Sequence, residues 1–226
     1  MKRILSLDWD YFIDATAEQR FTMFPDGGNE DLFRPLQHLI WSHRYEDFPA
    51  IYDIKVLSKD FDVLNSILHK FIDRKLFSTG INDRAISVAV SHRWIYDLIK
   101  EVTEEDEEFE VYNVDFHHDM YCYKTEGQEV NCGNWVNCAS DIRPNMKYVW
   151  VKREDSEDTV IGGVPVSCLI KTLDEIKYLD FDYVYLCRSD CWSPPHLDPC
   201  FDYLVKLLGM YLPVSMIEDV GIRVRR

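Results

Sequence analysis

The apolar run at residues 109–114, FEVYNV, stops abruptly at Asp115-Phe116-His117-His118-Asp119, which puts two carboxylates and two imidazoles within five positions. Carboxylates and imidazoles gathered that tightly repel one another or stay protonated unless a cation neutralises them. A mixed oxygen and nitrogen donor set suits Mn2+, Zn2+ or Fe2+. In an extended segment Asp115, His117 and Asp119 point to one side and can converge on metal, while His118 faces away. The plainer alternative is a set of polar side chains each satisfied by neighbouring backbone.

Other apolar runs end in the same way. Residues 85–90 (AISVAV) lead into Ser91-His92, residues 183–187 (YVYLC) into Arg188-Ser189-Asp190, and residues 213–217 (PVSMI) into Glu218-Asp219. Near the start, residues 3–8 (RILSLD) end on Asp8, with Asp10 two positions on; Asp10 could instead cap the following turn. Further strands are expected at 51–57 and 148–151. A helix is expected over 29–46, and another capped by Ser58 with Phe61, Leu64, Ile67, Leu68, Phe71 and Ile72 on its apolar face. Short apolar strands alternating with helices predict an α/β fold of three layers, α-β-α, around a mainly parallel sheet. Ligands in such sheets bind at the carboxyl ends of the strands. The polar stretch 119–146 reads as a long functional loop, and the acidic run 103–110 as a solvated turn.

The 226 residues suit a single domain spanning 1–226, and the net charge of -15, from 40 acidic and 25 basic side chains, argues against nucleic acid or an anionic membrane as partner. It suits a cationic substrate, or serves solubility alone. Seven cysteines without a C-x-x-C pair predict reduced thiols and a cytoplasmic protein. Asp8 and Asp10 break the N-terminal apolar run well short of a signal peptide or membrane span.

These residues carry a resemblance. DFHHD is similar to the D-A-H-x-D motif of the arginase/agmatinase ureohydrolases, His92 to their G-G-D-H histidine, and residues 187–190 to their S-x-D-x-D strand end. VSMIEDVG resembles their last strand, whose glutamate holds the substrate guanidinium, and so nominates Glu218. The modest length and LSLDWDYF resemble the compact peptide arginases. The resemblance implies an arginase/deacetylase-like fold and two Mn2+ ions. Asp115 and Asp190 would bridge the ions, His92 and Asp119 would complete one, and His117 the other. Glu218 would orient the guanidinium, Asp8 and Asn134 would contact substrate, and His118 or Asp10 would handle the leaving-group proton. The implied reaction converts arginine side chains of a ribosomally made precursor peptide to ornithine, with release of urea; a homo-oligomer is left open.

The sequence departs from that pattern in three places. Trp192 stands where the second carboxylate after Asp190 is expected, Ala89-Val90-Ser91 replaces G-G-D, and Trp135-Val136 follows Gly133-Asn134 where a histidine is expected. SLDWD itself has the S-x-D-x-D spacing, at the other end of the chain, so Asp8 or Asp10 could compensate. Two alternatives stand beside this reading. One is a zinc deacetylase-like amidohydrolase using Asp115, His117 and Asp190; the other is a non-catalytic module that binds arginine-bearing peptides. Trp192, Trp135, Tyr121 and Tyr123 would line a channel or pack as core.

Overall fold

The computed structural model of the chain describes residues 1–25, 36–77, 85–122, 127, 129–156 and 168–217. Its strands are β1 (Lys2–Asp8), β2 (Ile86–Ala89), β3 (Phe109–Val114), β4 (Met146–Val151), β5 (Cys168–Lys171), β6 (Tyr183–Cys187) and β7 (Val214–Met216). They form one all-parallel sheet in the order β5, β4, β3, β1, β6, β2, β7. The helices are α1 (Ala17–Met23), α2 (Gln37–Asp47), α3 (Ser58–Leu76), α4 (Ile95–Val102), α5 (Trp135–Ile142), α6 (Leu173–Ile176) and α7 (Asp198–Gly209).

Side chains alternate across a strand, so each central strand feeds two cores. Leu5, Leu7, Val88, Val114, Val151 and Leu186 pack with Leu64, Ile67 and Phe71 of α3 and Phe201 and Leu204 of α7. On the opposite face Ile4, Val111, Trp150 and Cys187 pack with Ile95 and Ile99 of α4 and Trp135 and Ala139 of α5. This is the expected three-layer α-β-α arrangement, with the sheet wholly parallel.

Several local expectations change. Residues 51–57 are not a strand. Pro49 opens a 3-10 turn, Pro49–Asp53, and Ile51 within it and Ile54 just after it fill the core; among the described residues the only sheet-like contact of this stretch is an isolated antiparallel bridge from Val56 to Ile13. Ser58 is the first residue of α3, with no side-chain cap, and Leu57 precedes it as N-cap. The second expected helix begins at Gln37, and residues 29–35 of it lie outside the described part. The supposed long loop contains α5, because Trp135, Val136 and Ala139 are fully buried against β3 and β4. Strand β5 had no sequence signal: it is a four-residue edge strand whose Leu169 and Ile170 are exposed.

The fold fixes the backbone after β3 through β4, its parallel neighbour. Trp150 Nε1 donates to the Asp115 carbonyl at 3.0 Å, Tyr148 Oη donates to the His118 carbonyl at 2.7 Å, and Ser156 Oγ donates to the Phe116 carbonyl. Tyr148 Oη also accepts from Asn113 Nδ2 at 3.1 Å. Tyr148→Phe keeps the ring and strips these buried partners. It is expected to lower unfolding free energy by about 1–3 kcal/mol in denaturant titrations with an unchanged slope. Full retention of stability would mean that the pinning contributes nothing.

Candidate metal centre

Within the central strands, one cross-sheet row is polar where its surroundings are apolar. Ser6 of β1 lies in register with Asn113 of β3 and Tyr185 of β6, and all three are fully buried. Two residues further along their strands, on the same face, come Asp8 and Asp115. The row serves the next layer. Ser6 Oγ meets His92 Nε2 at 2.6 Å, Asn113 Nδ2 donates to Asp115 Oδ2 at 3.2 Å, and Tyr185 Oη donates to the Ser91 carbonyl at 2.6 Å. The Tyr185 ring also lies parallel to the His92 imidazole, 5.8 Å between centroids.

His92 follows β2 and turns inward. Its Nδ1 lies 3.0 Å from Asp119 Oδ2, 3.1 Å from Asp115 Oδ2 and 3.2 Å from Asp8 Oδ2, yet it makes no hydrogen bond. Ser6 Oγ engages Nε2, so Nδ1 is the ring nitrogen left facing a nest of buried carboxylates. That donor set calls for a cation.

A second group shares Asp115. Its Oδ1 is 3.7 Å from His117 Nδ1, which is also 3.4 Å from Asp10 Oδ2. Asp10 Oδ1 is buried with no hydrogen-bond partner, while Oδ2 takes 3.2 Å contact from Arg20. Asp8, His92 and Asp115 form one constellation able to hold an ion, and Asp10, Asp115 and His117 the other, each with its ligand atoms within 4.8 Å of one another. The oxygen-rich, imidazole-containing donors and the two orphaned buried atoms fit a pair of divalent cations that share Asp115.

Metal-free, the cluster is electrostatically uncomfortable. Burial, then the nearby charges of Asp10 and Asp115, push the Asp8 carboxyl up to about 7. Burial and the Asp115 charge raise Asp119 well above its usual range. Burial opposes charge on both imidazoles, but the facing carboxylates outweigh it and raise His92 and His117. Burial opposes charge on Asp115 as well, yet His117 and His92 hold it below the ordinary carboxylate range.

The anticipated residues are distributed as follows. Asp8, Asp10, His92, Asp115 and His117 come together, with Asp119 against His92 and held by Trp135 Nε1 at 2.6 Å. Asp119 reaches the cluster through a left-handed backbone (φ 54°), not through extended alternation. Asp190, anticipated as a bridging ligand, belongs to neither constellation among the described residues. Ser189 (φ 56°) turns the chain, Trp41 Nε1 holds the Asp190 carbonyl at 2.6 Å, and Arg188 takes the carboxylate through bonds of 2.7 and 3.1 Å. Strand β1, between β3 and β6, delivers Asp8 instead, in register with Cys187, and the 3-10 turn that follows it, Trp9–Phe12, carries Asp10.

His118 also lies outside both groups: Nδ1 accepts from the Met120 amide at 2.9 Å, and the ring packs on Tyr121. Asn134 closes its own loop, accepting from the Asn131 amide and donating to the Glu129 carbonyl. Glu218 and Tyr123 fall outside the described residues. Sequence reasoning passed over Ser6, Asn113, Tyr185 and Arg20. The available signal was a polar side chain inside an apolar strand two positions before a strand-end carboxylate, in Ser6-Leu7-Asp8 and Asn113-Val114-Asp115.

His117 opens onto a cavity of about 500 Å3, walled by Phe116, Tyr121 and Trp192 and reaching Glu18 and Phe21 on α1. Trp192 and Tyr121 line this cavity, whereas Trp135 is core. None of the seven cysteines forms a disulfide, and no helix among the described residues is long and apolar enough to cross a membrane. No protein-family model, curated protein or solved structure matches the chain.

The cluster should make metal-free stability fall as pH rises. For Asp8 the loss runs from its ordinary carboxylate range up to about 7, because the fold holds a proton that the unfolded chain releases. His92 and His117, also raised, extend the loss above the ordinary imidazole range. A divalent cation would need the same sites deprotonated. The gap in melting temperature between Mn2+-loaded and metal-free protein is thus expected to widen from about pH 6 to about pH 8.5. Asp8→Asn is expected to raise metal-free stability at the higher pH while weakening Mn2+ at least about tenfold. A gap independent of pH would contradict the shared-cation reading.

Proposed function

We propose that the chain is a binuclear metal hydrolase that converts arginine side chains of a peptide to ornithine side chains and urea. The observation that carries this reading is the sharing of Asp115: one oxygen faces His92 at 3.1 Å and the other faces His117 at 3.7 Å. A bridging carboxylate between two imidazole-carboxylate sets is what a two-ion site requires. Asp8, His92 and Asp115 would hold one Mn2+, and Asp10, Asp115 and His117 the other. When bound, such a pair activates water at neutral pH and stabilises the charge that develops during attack.

The remaining work belongs to the chain's own side chains. Arg20 is buried, bonded to the Asp10 carboxylate and, at 2.7 Å, to its carbonyl, so Asp10 keeps its place as the second group assembles. Phe116 and Trp192 flank the His117 ring at 5.3 and 5.0 Å and restrict solvent there. Aromatic walls suit a planar guanidinium, which they attract through the ring faces. Water adds to the guanidinium carbon, the bond to the side-chain nitrogen breaks, and that nitrogen leaves as the ornithine amine. The choice of guanidinium chemistry rests on the resemblance of DFHHD and SLDWD to ureohydrolase motifs. Their S-x-D-x-D spacing ends the strand beside DFHHD.

A single-zinc deacetylase built on Asp115, His117 and Asp190 is the weaker reading, since Asp190 is committed to Arg188. The Mn2+-loaded protein, given an arginine-containing peptide, is expected to release urea and leave ornithine detectable by peptide mass. Asp115→Asn is expected to lose both ions and ~10^3-fold or more of the turnover. Acetate from an N-acetyl-lysine peptide with one Zn2+ bound, in place of urea, would overturn the proposal.

A further inference from the structure

The cavity above His117 has an unusual outer wall. Helix α1 is anchored at both ends of its first turns: Thr16 and Gln19 form a reciprocal cap, and Arg20 runs inward to Asp10 and to the carbonyls of Ala15 and Ile13. The Arg20 guanidinium lies 4.1 Å from the Phe116 ring centre. With Arg20 fixed, Glu18 and Phe21, three residues apart on the same helix side, are held over the cavity. Among the described residues no hydrogen bond or ion pair engages the Glu18 carboxylate, and Phe21 is 91% exposed. A large aromatic and a free carboxylate, presented together by a braced helix, make a wall for a cation and its aliphatic stem.

His117, Trp192 and Tyr121 are half-buried, whereas Glu18 and Phe21 are exposed. A substrate whose guanidinium reaches His117 therefore leaves its backbone and neighbouring residues at Glu18. There the carboxylate repels a free α-carboxylate and attracts a cationic neighbour. Resting on the proposed arginine-peptide reading, we infer that Glu18 and Phe21 are specificity-determining residues that select arginine inside a chain with Lys or Arg beside it, and disfavour acidic flanks and free arginine. The overall charge of -15 steers cations generally, so the test must separate one carboxylate from the whole surface.

Binding of three blocked tripeptides to the Mn2+-loaded protein, Lys-Arg-Lys, Gly-Arg-Gly and Glu-Arg-Glu, is measured by calorimetry alongside urea release. Affinity is expected to fall in that order. Glu18→Gln should shrink the spread by roughly two- to fivefold, the range for an exposed charge pair, and Glu18→Lys should invert it. Phe21→Ala should weaken all three about threefold. Glu105→Gln, which removes the same charge beside the start of β3, should leave the order intact. Equal affinities, or an order untouched by Glu18→Lys, would overturn the inference even if urea is formed. The expected order without urea would uphold it and remove the hydrolase reading; no binding of any peptide removes both.

Discussion

Four buried carboxylates, Asp8, Asp10, Asp115 and Asp119, face two imidazoles and one bonded arginine, and of these groups His117 is the half-buried one that meets the cavity. Burying one unpaired charge costs several kcal/mol, so the arrangement exists only with protons or cations in its midst. His92 expresses the constraint most sharply, because three carboxylate oxygens crowd a ring nitrogen that makes no hydrogen bond to any of them. A fold selected for stability alone would bury apolar groups there.

The rest of the sheet is organised around that demand. The row of Asn113, Ser6 and Tyr185 sets the orientation of Asp115, His92 and the Ser91 carbonyl from beneath. Aromatic residues of β4 fix the backbone from the side, and Trp135 of α5 holds Asp119. Beyond the second group, Arg20 and Arg153 both lie over Phe116, and Arg153 bonds the carbonyls of Tyr11 and Ile13. Two buried cations thus tie the turn carrying Asp10 to the loop carrying His117. Rigid support of this kind keeps ligands close to productive geometry before any ion arrives.

Much of this was legible in the residues. Apolar strands covered on both faces announce themselves, and their chemically active endings at Asp8, His92 and Asp115 follow from period and position. Strand order does not, because parallel neighbours are distant in sequence: β1 pairs with β3 and β6, which is why SLDWD and DFHHD meet. Asp190 misled because a pairing two residues long, Arg188 to Asp190, together with the turn at Ser189, overrides position at a strand end. Residues 51–57 misled because Pro49 converts an apolar run into a buried turn. Short α5 and exposed β5 carry too few patterned positions to be seen.

The most direct test is a crystal structure of the Mn2+-loaded protein with anomalous scattering recorded for manganese. The account predicts two peaks per chain, about 3.5 Å apart, one against Asp8, His92 and Asp115 and the other against Asp10, Asp115 and His117. A single peak, or manganese at surface carboxylates with His92 Nδ1 left uncoordinated, would contradict it.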